Sequence, residues 1–240
     1  MFNSIPPITR NLIILNIVFY VAALIIPQLD YYLAAYFPLS PDFKSWQIIT
    51  HMFMHGSPMH ILFNMFTLFS FGPILEQSLG DKKYLILYFL SGLGAFFLFN
   101  LWNFVGYQQA YSQLNGLGFN VSGYISDPES FANIQVSPAV KALVEDKLGP
   151  IIFGRMVGAS GAIFGVIAAF ATLYPDAKIG IMFIPIPMKV KYVLPVVIIG
   201  SIALGVTGNV GGIAHLAHVG GAIVGFILAK IWKKHLYRFN

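Results

Sequence analysis

Apolar residues gather in six blocks along the chain, at about 11–26, 59–79, 84–104, 156–174, 190–205 and 213–232, separated by shorter polar breaks. Each block is close to the ~20 residues an α-helix needs to cross the ~30 Å hydrocarbon layer. Proline or glycine marks most of the exits: Pro27 after the first, Gly80 after the second, Pro175 after the fourth. The pattern predicts an all-α membrane protein of six spanning helices in one domain, residues 1–240. The opening stretch "MFNSIPPITR" carries one positive charge, and the apolar run after it lacks a small-residue cleavage pattern. It is read as the first span rather than a signal peptide.

The one long connection runs from about 105 to 155. Its first half, "GYQQAYSQLNGLGFNVSGYISDPES", is polar and glycine-rich and reads as loop. In "SPAVKALVEDKLG", Ser137 suits a helix cap, Pro138 the first turn and Gly149 the exit. Val140, Leu143, Val144 and Leu148 share a face there, predicting a short helix lying on the membrane surface. The stretch "FIPIPMKVKYV" reads as an interfacial connector into the fifth span.

Composition agrees with this picture. Of 240 residues, 57% are hydrophobic and 10% charged, and the mean hydropathy is +0.74. Soluble domains carry about 25% charged residues, so a soluble globule is excluded. The net charge is +5, and its placement matters more than its size. Arg10, Lys82, Lys83, Lys178, Lys189, Lys191, Lys230, Lys233, Lys234 and Arg238 fall on one set of ends and loops. Only Lys44, Lys141, Lys147 and Arg155 fall on the other. Ten against four places both termini in the cytoplasm, as an even number of spans requires, and the long connection outside. There is no cysteine, so disulfides and thiolate zinc sites are ruled out.

Polar side chains inside apolar blocks are costly and therefore candidates for function. "HMFMHGSPMHILFN" contains His51, His55, His60 and Asn64. His60 and Asn64 lie four apart, on one helix face, and two neutral donors so placed could hold an oxyanion. "GASGAIFG" puts Ser160 among Gly158, Gly161 and Gly165; the spacing of four forms a flat groove for another helix. "AHLAHVGGAIVG" carries His215 and His218 one turn apart, with Gly221 and Gly225 again four apart. Taken singly, each group reads equally well as packing. Together, the glycine faces permit close approach of the fourth and sixth spans, and Ser160 and His218 fall at a similar depth below the outer surface.

In their order and topology, "HGSPMHILFN", "GASG" and "AHVGG" resemble the rhomboid family of intramembrane serine proteases, over about residues 11–232. "GPILEQSLG", with Glu76, is also similar to the family's pattern. The resemblance implies a rhomboid-like bundle in which Ser160 is the nucleophile and His218 its base. It further implies that His60, Asn64 and the Ser160 amide form the oxyanion hole, shaped by Gly158 and Gly161. His55 and Gly221 would support the site. No metal or other cofactor is implied. The partners implied are a substrate's transmembrane helix and the lipid bilayer, with no nucleic acid. The compact chain suggests a bacterial cytoplasmic membrane. Unlike many relatives, this chain has only "PQLDYYLAAYFPLSPDFKSW" between the first and second spans, without a Trp-Arg pair, and carries its insertion between the third and fourth.

Three rival readings stand beside the protease. A metal-dependent hydrolase would need more than the histidines, and no H-E-x-x-H occurs. A transporter would be expected to show mid-membrane charges and paired interrupted helices. A non-proteolytic binder of membrane helices on the same fold would usually have lost the serine or the histidine.

Overall fold

The computed structural model describes residues 5–131, 134–181, 184–192, 195–196 and 212–236. Among the described residues four helices are long and apolar enough to cross a membrane: α1 (Pro7–Ile25), α4 (Pro58–Leu79), α5 (Asp81–Gly116) and α11 (Gly212–Leu236). A fifth apolar helix, α10 (Ser160–Leu173), packs among them. Short helices α2 (Gln28–Leu33) and α3 (Gln47–Thr50), followed by a single 3₁₀ turn at His51–Phe53, connect α1 to α4. The chain is an integral, multi-pass membrane protein. The fifth predicted span, 190–205, lies largely outside the described residues. The connector before it forms an antiparallel β-hairpin, β1 (Lys178–Ile181) with β2 (Ile184–Lys189), Lys178 opposite Lys189.

The first span starts at Pro7, four residues before its apolar block, because Glu76 holds the helix end. The Glu76 carboxylate is buried on α4 and accepts from the N–H groups of Ile8 (2.8 Å) and Thr9 (2.7 Å) and from the Thr9 hydroxyl (2.7 Å). Uncapped N–H groups at a helix start favour an acidic partner. Gly72 faces the same cluster: a Cβ there would meet the Tyr84 hydroxyl at 2.5 Å.

Small residues bring α10, α5 and α11 into contact. A Cβ on Gly221 would lie 1.9 Å from the Gly161 carbonyl oxygen, and one on Gly225 2.1 Å from that of Gly165. A Cβ on Gly161 would meet Ala95 at 2.4 Å, and one on Gly165 the Ser91 hydroxyl at 1.9 Å. With no hydrophobic drive between helices in lipid, such close backbone approach maximises dispersion contact.

The connection at 105–155 departs from expectation. Helix α5 continues to Gly116, through residues that read as loop. Its 36 residues extend roughly 54 Å at 1.5 Å each, so one end projects beyond a ~30 Å layer. On that extension Ala110 and Leu114 are fully buried against Val140, Leu148, Ile151 and Ile152. After the short helices α6 (Val121–Ser126) and α7 (Pro128–Phe131), α8 (Pro138–Leu143) begins at the Ser137 cap but does not stop at Gly149. A π-helical turn, Val144–Leu148, leads straight into α9 (Gly149–Phe153). Its apolar face is therefore covered by protein rather than lying on lipid. This insertion also carries an open cavity of about 490 Å³, lined by Phe119, Tyr124, Phe131 and Glu145 among others, apart from the site described next.

Candidate active site

Helix α10 is 14 residues long, roughly 21 Å and short of the ~30 Å layer. Ser160 is its first residue. Ala159 precedes it without a side-chain cap. The first N–H groups of a helix have no internal acceptor, and the macrodipole makes this end receptive to negative charge. The serine hydroxyl and a free amide thus sit at one helix tip.

The histidine reaches the serine. His218 Nε2 lies 2.9 Å from Ser160 Oγ, within the hydrogen-bond range a general base requires. The glycine contacts Gly161–Gly221 and Gly165–Gly225 hold the two helices close enough for this bond. His218 Nδ1 has no hydrogen-bond partner among the described residues. Instead, Phe164 stacks on the ring at 4.2 Å between centroids, with 1° between planes. His215 meets the same imidazole edge-on at 5.9 Å. Phe164 was not singled out in the sequence, although it lies four residues after Ser160 and so one turn along the same face.

The second wall comes from α4. Ser57 caps this helix, its hydroxyl accepting from the His60 N–H at 3.2 Å, and Pro58 opens the first turn. His60 and Asn64 project one turn apart into a cavity of about 450 Å³ that Ser160 and His218 also line. Asn64 Nδ2 is buried and has no acceptor among the described residues. Met59, Phe63, Thr67, Ile163, Phe164 and Ile167 make up most of the remaining wall. An apolar cavity with a few convergent polar groups is what a ligand site requires.

Gly158 and Gly161 act as supports. Gly158 has φ +125°, a conformation L side chains rarely adopt, and a Cβ there would lie 2.8 Å from the His60 ring. Its N–H donates to the His51 carbonyl at 2.9 Å, so it is not a free donor to the cavity. Gly161 faces Ala95 and the α11 seam.

His51 and His55 do not line the cavity with the other two. His51 is 1% exposed, and its Nδ1 bonds the Gln47 carbonyl at 2.8 Å. Burial pushes its pKa down to about 4, leaving it neutral at pH 7. His55 is buried behind His60, ring to ring at 5.0 Å, with no hydrogen-bond partner for either nitrogen among the described residues. Both lie beneath the cavity wall because the 3₁₀ turn and the loop to Ser57 direct them inward. Among the described residues no three His, Asp or Glu side chains gather as metal ligands would.

Comparison with known proteins bears on the whole arrangement. A family model described as "Rhomboid domain" matches residues 42–235. The "Rhomboid protease GlpG" of Salmonella typhi is 28% identical over 183 residues, 71% of this chain and 63% of the relative. "Rhomboid protein 1, mitochondrial" of Saccharomyces cerevisiae is 28% identical over 241 residues, 95% of this chain and 56% of the relative. "Presenilin-associated rhomboid-like protein A, mitochondrial" of Danio rerio is 26% identical over 219 residues, 87% and 45% respectively. The chain thus spans about half to three-fifths of these relatives' length. One of these names is bacterial and two are mitochondrial, so the relatives do not assign the expected bacterial cytoplasmic membrane. The matched region contains every residue that lines the cavity, from Ser57 to His218. The chain belongs to the rhomboid family.

Proposed function

We propose that this protein is an intramembrane serine endopeptidase that cleaves transmembrane segments of other membrane proteins through a Ser160–His218 dyad. The observation that carries the proposal is the 2.9 Å approach of Ser160 Oγ to His218 Nε2 at the wall of a cavity that also holds His60 and Asn64.

In this mechanism His218 Nε2 accepts the Ser160 proton as Oγ attacks the scissile carbonyl carbon. The carbonyl π electrons move to oxygen, giving a tetrahedral oxyanion. His60, Asn64 Nδ2 and the Ser160 amide donate to that oxygen, strengthened by the helix-tip potential. Collapse expels the amine, which takes the proton from His218, and leaves an acyl ester on Ser160. Water, deprotonated by His218, then attacks the ester carbon; the bond to Ser160 Oγ breaks, His218 returns the proton to that oxygen, and the carboxylate product leaves. Among the described residues no carboxylate orients His218. Phe164 stacking fixes the plane of the ring in place of a third triad member.

The substrate is a membrane helix. Such a helix keeps its carbonyls bonded internally, so it must unwind locally before Ser160 reaches one. Small or helix-breaking residues at or after the cut favour that step. The remaining parts of the proposal are six spans in one domain, both termini in the cytoplasm and an active site opening to the opposite face. Its test is cleavage of a single-span substrate in proteoliposomes. The wild type is expected to release two fragments, and Ser160→Ala none. Fragments from Ser160→Ala, or an intact substrate with wild type across a panel of unstable helices, would refute it.

A further inference from the structure

The segment 154–159 delivers Ser160 to the cavity. Glycines bound it on both sides: Gly154 (ψ 144°) follows α9, and Gly158 has φ +125°. Glycine widens the conformations open to a chain, so this stretch needs outside restraint. Two backbone contacts supply part of it. Met156 and Ala35 exchange hydrogen bonds in an isolated antiparallel bridge, at 2.8 and 2.9 Å, and the Gly158 N–H donates to the His51 carbonyl. The one side-chain hydrogen bond of the segment among the described residues is an ion pair, from Arg155 Nη1 to Asp30 Oδ2 on α2. Phe37, two residues beyond Ala35, is buried in the insertion's core beside Ile151 and Ile152. The α1–α4 connection is therefore fastened to the chain on both sides of Arg155.

We propose that Asp30 and Arg155 form a positioning clamp, which holds 154–159 against the α2 region and so fixes where Gly158 and Ser160 stand relative to His60 and His218. This rests on the protease reading of the site. Neither residue touches the reacting atoms. The pair is partly exposed, with side-chain accessibilities of 46% and 34%, and surface pairs contribute little to global stability. Its effect falls instead on alignment, where displacements of a fraction of an ångström cost rate.

The test compares wild type, Arg155→Ala, Asp30→Asn and the exchanged pair Asp30→Arg with Arg155→Asp, all full-length in proteoliposomes. Hydrogen exchange of the peptide covering 154–160 is expected to quicken in both single variants and to return toward wild type in the exchanged pair. Cleavage kcat is expected to fall about 3- to 10-fold in the singles, with KM and melting temperature nearly unchanged, and to recover in the exchanged pair. Unchanged exchange and kcat in both singles would overturn the clamp, as would an exchanged pair no better than the singles. A wild type that fails to cleave would refute the protease reading, while the hydrogen-exchange comparison would still decide whether the pair restrains the segment.

Discussion

The seam between α10 and α11 and the insertion that precedes α10 are both buried, yet they are built by opposite means. The seam is held by what its residues lack: Gly161, Gly165, Gly221 and Gly225 remove Cβ atoms so that backbones touch. The insertion is held by what its residues carry: Leu114, Leu148, Ile151 and Ile152 fill a core as in a water-soluble domain. The proposed placement, with the seam in lipid and the insertion outside it, accounts for the difference. In lipid, apolar side chains gain nothing by meeting one another, and closeness favours small residues. Outside it, burial of apolar area is the main drive. In the proposed enzyme the seam sets catalytic geometry, and the insertion braces the segment that leads to it.

This contrast fails if substitutions in the two regions act alike. The largest expected effect is at the dyad, where Ser160→Ala or His218→Ala should lower turnover by about four orders of magnitude or more without loss of fold; a melting curve beside the cleavage assay separates the two. Next, His60→Ala and Asn64→Ala should each reduce kcat about 100- to 1,000-fold, with substrate binding retained in a pull-down with the Ser160→Ala background. Gly221→Ala forces a methyl toward the Gly161 carbonyl. It should cost about 1–3 kcal/mol, as overpacking does, and cut activity about tenfold, measured by denaturation in detergent and by cleavage. In the insertion, Ile152→Ala should cost about 2–5 kcal/mol of local stability, read as faster hydrogen exchange over 138–153. Activity should stay within about threefold, in line with a bracing role. A tenfold activity loss there, with Gly221→Ala silent, would reverse the assignment.

The smallest effect is on pH dependence. His51 has its pKa depressed by burial to about 4, against an unfolded value near 6.5. The unfolded chain therefore binds the proton more readily, and stability rises with pH across this window. Its contribution is complete above about pH 6.5 and is lost as pH falls toward 4. A melting temperature that declines over that range in wild type, and declines less in His51→Asn, is the expected outcome.

The same contrast explains which parts were legible in the sequence. Ser160, His218, His60 and Asn64 stand out because polar groups in apolar blocks are costly and because three such groups fall in one order and at a similar depth; the structure brings all four to one cavity. The paired glycines announced the seam. Phe164 stayed hidden because an aromatic residue in an apolar helix carries no signal of its own; only its spacing of four from Ser160 pointed to it. The helical extension of α5 was masked by Gln, Asn and Gly, although Tyr107, Ala110, Tyr111 and Leu114 follow the spacing of an amphipathic face. The Arg155–Asp30 contact joins residues 125 apart, and no local pattern announces it.

The central claim is that the Ser160 hydroxyl is activated by His218. Its most direct measurement is reaction with a fluorophosphonate, followed by mass spectrometry of the digested protein. The account predicts one phosphonyl adduct, on the peptide containing Ser160, formed in wild type and lost in His218→Ala. An adduct on a different serine, or unchanged labelling of Ser160 without His218, would contradict it.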